Sequence, residues 1–405
     1  MDDHQTTSAT PVERTALGIP FNHEKLDALM DEAGIDALVA TSKHNIQYLL
    51  GGYRFFFFDY MDAIGVSRYL PVFVYPKGRP DQAAYIGNRL ESYEKQLDKF
   101  WTPTVQTSTS GTIDAMRLAA GHLRQLAQTT RTIGVEMSFL PADAYGALRE
   151  GVPNCQIVEA FRILERLRAR KSAAELALLR EGSERVVDSM LTVFAAHGPG
   201  TTKNELAEAL RREEQRRGLT FEYCLVTAGS SHNRSPSEQP WEEGEPVSLD
   251  SGGNYKGYIA DLCRMGVMGE PDSELADLLA EVDSIQLAAR NSIKAGVRGG
   301  DIYVAAEEAL RKAPHRNMMA FLAHGMGLIT HEAPRLTGEG PVPYPADDAD
   351  GLLESGMVVS IETTLPHPTR GYIKLEDTVA VTKTGFEAFG DSGRGWNRGN
   401  RNRVS

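Results

Sequence analysis

Four acidic residues and one histidine in the C-terminal half stand where they could do chemistry together. Asp250 closes the apolar run Val247-Ser248-Leu249-Asp250. Ser251-Gly252-Gly253-Asn254 reads as a turn, and the chain returns through Tyr258-Ile259-Ala260 to Asp261. Two carboxylates eleven residues apart across a hairpin can converge on one point above a sheet. Glu362 and Glu376 repeat the device on either side of a turn at Pro366-His367-Pro368-Thr369-Arg370-Gly371. His324 sits in Ala323-His324-Gly325-Met326-Gly327, where the glycines let the backbone come close to whatever the imidazole binds. His331-Glu332-Ala333-Pro334 follows seven residues on.

Four acids aimed into a core are costly unless something neutralises them. Two divalent cations would do so. Oxygen-rich ligation with one imidazole suits manganese, cobalt, iron or zinc better than it resembles a thiolate zinc site. Shared carboxylates can hold two such ions about 3.5–4 Å apart, and the pair supplies a nucleophile at neutral pH without a Ser or Cys. A plainer reading stands beside this one. The chain has 55 acidic residues, and an Asp at the end of a strand is as a rule solvated or capping, because charged side chains are mostly exposed. Spacing alone leaves both readings open.

The elements around these residues follow from pattern. Tyr223–Thr227, Val247–Asp250, Tyr258–Met265, Val358–Glu362 and Ile373–Val381 read as strands, with helices at 274–295 and 302–312. Strands mixed with paired helices predict an α+β domain with an antiparallel sheet. Before it, Arg162 to Arg217 has helical spacing. Gly198-Pro199-Gly200 breaks that run, and Thr202-Lys203-Asn204-Glu205 forms a capping box for the next helix. From Phe21 to Ala160 helix and strand alternate. Asn22 caps a helix through Leu26, Leu29 and Met30 that stops before Gly34, and short apolar strands follow at 35–40, 71–75, 83–86 and 132–136. The expected layout is a flexible tail over 1–20, an α/β domain over 21–160, a catalytic α+β domain over 161–390 and a C-terminal tail over 391–405.

Composition narrows the partners. Of 405 residues 41% are apolar and 24% charged, which places the chain among globular proteins. Forty-three basic against fifty-five acidic residues leave a net charge of −12. That excess disfavours nucleic acid, whose affinity comes from phosphate neutralisation, and anionic membranes. Three cysteines without a CxxC pair argue against a disulfide framework, and no apolar run approaches a bilayer span. The polar start Met1-Asp2-Asp3-His4-Gln5 lacks a signal-peptide pattern, so a cytoplasmic protein is expected.

The pieces VSLDSGGNYKGYIADLCR, FLAHGMGLITHEAPRL, GMVVSIE and GYIKLEDTVAVT, in this order, resemble the pita-bread metallopeptidases, the group of prolidase, aminopeptidase P and creatinase. RILERLRARKSAAELALLREGSE and, upstream, HNIQYLLGGY resemble other parts of the same family, so the likeness runs from about Phe21 to Gly390. The resemblance implies a creatinase-like N-terminal domain, a pita-bread catalytic domain and a homodimer. It implies that Asp250, Asp261, His324, Glu362 and Glu376 are the ligands of two divalent ions, manganese foremost, with cobalt, iron or zinc as alternatives. It implies that His331 and His232 are catalytic, and that they contact substrate together with Lys374. Two positions depart from the family pattern: Thr363-Thr364-Leu365 replaces Pro-Gly after the first Glu, and Lys374 replaces Arg before the second. Both leave the ligand set intact and bear on specificity. The expected activity is hydrolysis of an amide bond, as in an Xaa-Pro dipeptidase or aminopeptidase acting on a small peptide. The alternatives are the same fold acting on a small non-peptide metabolite, nitrogenous or sulfonium, as an amidino or amido hydrolase or a lyase, and a binding module without catalysis. The aromatic patch Tyr53, Phe55–Phe58 and Tyr60 is open to two readings, a pocket wall or plain packing.

Overall fold

The structure, a computed structural model, describes residues 18–61, 68–126, 130–338 and 345–401. All but the last three residues of the expected N-terminal tail lie outside that range. The chain divides into two compact units between Arg168 and Ala169.

In the first unit, β1 (Ala37–Ala40), β2 (Val72–Pro76), β3 (Ala84–Asn88), β4 (Thr104–Thr109), β5 (Thr132–Val135) and β6 (Gln156–Glu159) form one mixed sheet in the order β4-β3-β2-β1-β5-β6. Period-two alternation sends Ala37 and Val39 to one core, with the helices Thr112–Gln125 and Ala142–Gly151. Leu38 and Ala40 go to another, with the helices His23–Glu32 and Phe161–Arg168. Burial on both faces explains why these strands read as unbroken apolar runs. Asn22 caps the first helix as expected, accepting a hydrogen bond from the Lys25 amide at 2.9 Å. In the aromatic patch Phe55 and Phe58 are core residues, whereas Phe56 and Tyr60 are exposed.

The second unit is built on one eight-stranded sheet. Thr201–Thr202 (β7) and Pro240–Trp241 (β9) pair separately. The main path runs β12 (Ala320–Gly325), β13 (Val358–His367), β14 (Gly371–Val381), β11 (Tyr258–Val267), β10 (Pro246–Tyr255) and β8 (Thr220–Ala228), all antiparallel. β15 (Phe386–Phe389) pairs with β14, and β16 (Asn397–Arg398) runs parallel to β11. Asn397 and Arg398 of the expected C-terminal tail are therefore paired with the sheet, and the Trp396 indole donates to the Leu275 carbonyl at 3.0 Å. Four helices cover one face. Ala173–Ala196 and Lys203–Arg216 lie over β8, β10 and β11, and Ser273–Asn291 and Asp301–Leu310 lie over β12 to β14. The expected capping box is present: Thr202 Oγ1 accepts from the Glu205 amide at 3.2 Å, and the Glu205 carboxylate accepts from the Thr202 amide at 2.7 Å.

The hairpin that carries Asp250 and Asp261 differs from expectation. Ser251–Asn254 is not a turn. β10 runs on to Tyr255, and the chain reverses at Lys256-Gly257, both with positive φ (53° and 97°). Such a pair closes a two-residue hairpin. The two glycines earlier in the strand are there for room. A Cβ on Gly252 would lie 2.4 Å from the Tyr223 ring, and one on Gly253 would lie 2.5 Å from Val186.

Candidate active site

Register places the candidate residues on one face of the second unit's sheet. Asp250 pairs with Cys263, Cys263 with Glu376, and Glu376 with Glu362. One step along, Gly252 pairs with Asp261, and Ser360 pairs with both Thr378 and His324. Directly paired residues of antiparallel strands point the same way. Asp250, Asp261, His324, Glu362, Lys374 and Glu376 therefore share the face that the four helices leave uncovered. Asp377, next to Glu376, points to the opposite face. There it meets three guanidiniums, those of Arg264 at 3.1 Å, Arg290 at 3.3 Å and Arg394.

On the open face the ligand atoms of Asp261, His324 and Glu376 lie within 4.8 Å of one another, and all three residues are buried. His324 Nε2 is 3.7 Å from Glu376 Oε1, too far for a hydrogen bond. Neither His324 Nε2 nor Asp261 Oδ1 has a hydrogen-bond partner among the described residues. Asp250 and Glu362 converge on a different point, the ammonium of Lys374. Its Nζ stands 2.7 Å from Asp250, 2.6 Å from Glu362 and 2.8 Å from the second oxygen of Glu376. Arg234, a residue that spacing gave no reason to single out, also pairs with Asp250.

The electrostatics follow from burial. Burial, then the charges of Glu376 and Asp250, raise the Asp261 pKa well above the carboxylate range. Burial likewise raises Asp250 and Glu362, although Lys374 pulls against it in both. Burial works against ionised Glu376 too, but there Lys374 and His324 prevail and hold it low. Burial also opposes a charge on His324, yet the surrounding carboxylates lift it to about 8. These are the marks of an anionic cluster that seeks more positive charge than the protein supplies.

Neighbouring residues hold this geometry. Ser360 Oγ donates to Glu376 Oε1 at 2.8 Å. The glycines flanking His324 do not make space for a ligand; the chain itself fills it. A Cβ on Gly325 would lie 2.3 Å from the Ala333–Pro334 peptide. One on Gly327 would lie 2.5 Å from Glu332, whose carboxylate makes a buried ion pair with Lys171 at 2.9 Å. That packing fixes His331, whose ring stacks on His324 with centroids 3.8 Å apart and 16° between planes. Burial and the His324 charge push the His331 pKa down to about 3, so its imidazole is neutral at working pH. His232 lies on an exposed loop, and its Nε2 meets the His367 carbonyl at 3.0 Å. A cleft of about 1010 Å³ opens beside the cluster. Glu362, Arg234 and Tyr372 line it toward the carboxylates, and Tyr303, Met319 and Phe321 form part of its apolar wall.

Residues 177–383 match metallopeptidase family M24, and residues 23–170 match the creatinase/prolidase N-terminal domain. The chain belongs to metallopeptidase family M24. Among its relatives, it is 22% identical over 373 residues to the uncharacterized peptidase YqhT of Bacillus subtilis, covering 89% of this chain and 95% of that one. It is 30% identical over 258 residues to the probable dipeptidase PepE of Mycobacterium tuberculosis, covering 62% and 64%. Among solved structures, an Xaa-Pro dipeptidase from Bacillus anthracis superposes with a TM-score of 0.77 at 24% identity, over 93% of this chain and 98% of that one. The last likeness establishes the fold, a creatinase-type N-terminal domain followed by a pita-bread catalytic domain. As an M24 member the chain is a hydrolase of the metallopeptidase type.

The family implies divalent metal ions, and the residues present accommodate one. Asp261, His324 and Glu376 offer two carboxylates and an imidazole, a donor set suited to a first-row divalent ion. Asp261 Oδ1 and His324 Nε2, both buried and both without a hydrogen-bond partner among the described residues, belong to this trio. Among the described residues no helix is long and apolar enough to cross a membrane.

Proposed function

We propose that this M24 hydrolase cleaves the amide bond of a small peptide, with Xaa-Pro dipeptides first among the substrates, at a metal centre held by Asp261, His324 and Glu376. The observation that carries the reading is the pair of orphaned, buried ligand atoms beside Glu376. A buried polar atom without a partner costs free energy unless something binds it. The relatives named as dipeptidases support the substrate class. Manganese is the first ion to supply, then cobalt, iron and zinc.

A bound ion supplies Lewis acidity and a nucleophile at neutral pH. The chain's own residues do the rest. Neutral His331, stacked against His324, presents its ring beside the reacting centre, where an N–H can donate to the carbonyl oxygen as negative charge develops. Glu362 is the one acid of the cluster that also lines the cleft, so it is placed to carry a proton to the leaving nitrogen. The apolar wall at Met319 and Phe321 receives the substrate's side chains. His232 sits farther out on its loop and belongs, in this reading, to substrate contact at the rim.

The test is direct. Manganese- or cobalt-loaded protein should hydrolyse Ala-Pro or Gly-Pro faster than a tripeptide. Retained metal with no turnover of any of the three would remove the peptidase reading and turn attention to non-peptide amides.

A further inference from the structure

Lys374 is the feature of this site that ligand counting overlooks. An ammonium has three N–H donors. Here the ammonium donates to Asp250 at 2.7 Å and also lies in ion-pair contact with Glu362 and Glu376 at 2.6 and 2.8 Å. Charge-assisted N–H···O contacts run at about 2.7–2.9 Å. Carboxylate oxygens on zinc stand at about 2.0–2.2 Å. The three oxygens are thus grouped around the lysine nitrogen. Glu376 bridges the two halves of the site. One oxygen faces His324 and Ser360, and the other faces Lys374.

We infer that the centre binds one divalent ion, at Asp261, His324 and Glu376, and that the Lys374 ammonium permanently fills the position a second ion would take. The inference rests on the metal-dependent reading above and deepens it. Charge balance points the same way. Four carboxylates face two protein cations, Lys374 and Arg234, which leaves two negative charges. A single divalent ion cancels them. A second would leave a buried positive excess, or would have to expel an ammonium whose side chain is only 3% exposed. Asp250 and Glu362 are then ligands of the lysine, and the lysine does the electrostatic work of a second metal without leaving when the protein is dialysed.

Metal content decides the matter without reference to activity. Chelator-stripped protein is titrated calorimetrically with Mn2+ and with Co2+, and ions per chain are counted by plasma mass spectrometry after desalting. Wild type is expected to bind one ion per chain. Lys374→Ala, checked for folding by far-UV circular dichroism, is expected to bind two, because it vacates both the space and the charge. Two ions on wild type overturn this inference alone, and so does one ion on the folded variant. No ion on wild type overturns the metal-dependent reading and this inference with it. Should the variant fail to fold, the wild-type count still decides.

Discussion

Replacing Glu214 by glutamine changes one buried group beneath the site strand and should make stability less sensitive to alkaline pH. Glu214 lies on the helix Lys203–Arg216 and is fully buried. Its Oε1 is 2.8 Å from Ser251 Oγ, while its other oxygen has no partner among the described residues. Ser251 Oγ is also 2.8 Å from the Tyr223 carbonyl, which can only accept. A hydroxyl has one proton. If it goes to the carbonyl, Glu214 must donate, and so must be protonated. Burial raises the Glu214 pKa from 4.5 to about 7, helped by Glu222 and opposed by Ser251. The folded state therefore holds this proton more tightly than the unfolded chain. Its contribution is fully present below pH 4.5 and is lost as pH rises through 7. At about 1.4 kcal/mol per pH step, the gap between those two values is worth roughly 3 kcal/mol. Glutamine mimics the protonated acid at every pH. In urea unfolding, Glu214→Gln should match wild type within ~1 kcal/mol at pH 5 and exceed it by a further 2–3 kcal/mol, roughly, at pH 8.5. A difference that stays constant across that range, or that favours wild type at pH 8.5, would refute the protonated carboxyl.

Three other perturbations probe the frame and the site. Asp377→Asn leaves Arg264, Arg290 and Arg394 crowded around a neutral group; urea unfolding should register a loss of about 3–5 kcal/mol, and a loss under ~1 kcal/mol would show that the network is not structural. Gly252→Ala drives a Cβ to 2.4 Å from the Tyr223 ring and should cost about 1–3 kcal/mol; adding Tyr223→Ala should make the alanine at 252 nearly neutral in a double-mutant cycle, and failure to do so would place the clash elsewhere. His331→Ala should retain metal and lower kcat on the order of 100-fold; an unchanged kcat would remove His331 from the chemistry.

Much of the frame was legible from local rules. Asn22 and the Thr202–Glu205 box cap the helices they were expected to cap, because a side-chain oxygen three residues before an orphan amide needs no distant partner. The Ser251-Gly252-Gly253-Asn254 segment misled for the same local reason: its residues favour turns. Here tertiary packing prevails, since Tyr223 and Val186 occupy the space above those glycines and the strand runs through them. The reversal two residues later had its own signal in Lys256-Gly257. β12, which carries His324, escaped notice because its first residues are part-exposed at the sheet's edge and lack alternation. Arg234 was not legible at all. It reaches Asp250 from a loop sixteen residues away, and no periodicity links a loop to a strand.

Lys374 is a different matter, for the strand pattern did contain it. Along β14 a period of two puts Lys374, Glu376 and Thr378 on one face and Leu375, Asp377 and Val379 on the other. Glu376 and Asp377 are neighbours in sequence with the same burial problem. On the helix side the fold answers Asp377 with three guanidiniums drawn from β11, the helix Ser273–Asn291 and the chain's end. On the open side it offers one ammonium and one guanidinium to four acids, and leaves Asp261 Oδ1 and His324 Nε2 bare. The expectation of two metal ions came from counting acids and from the family resemblance. Counting cations of the same strand parity changes the sum, because a lysine two residues before a ligand must point where the ligand points. In the one-ion reading proposed above, the protein supplies half of the neutralising charge from its own sequence, and the other half is called for where Asp261 Oδ1 and His324 Nε2 lack a partner among the described residues.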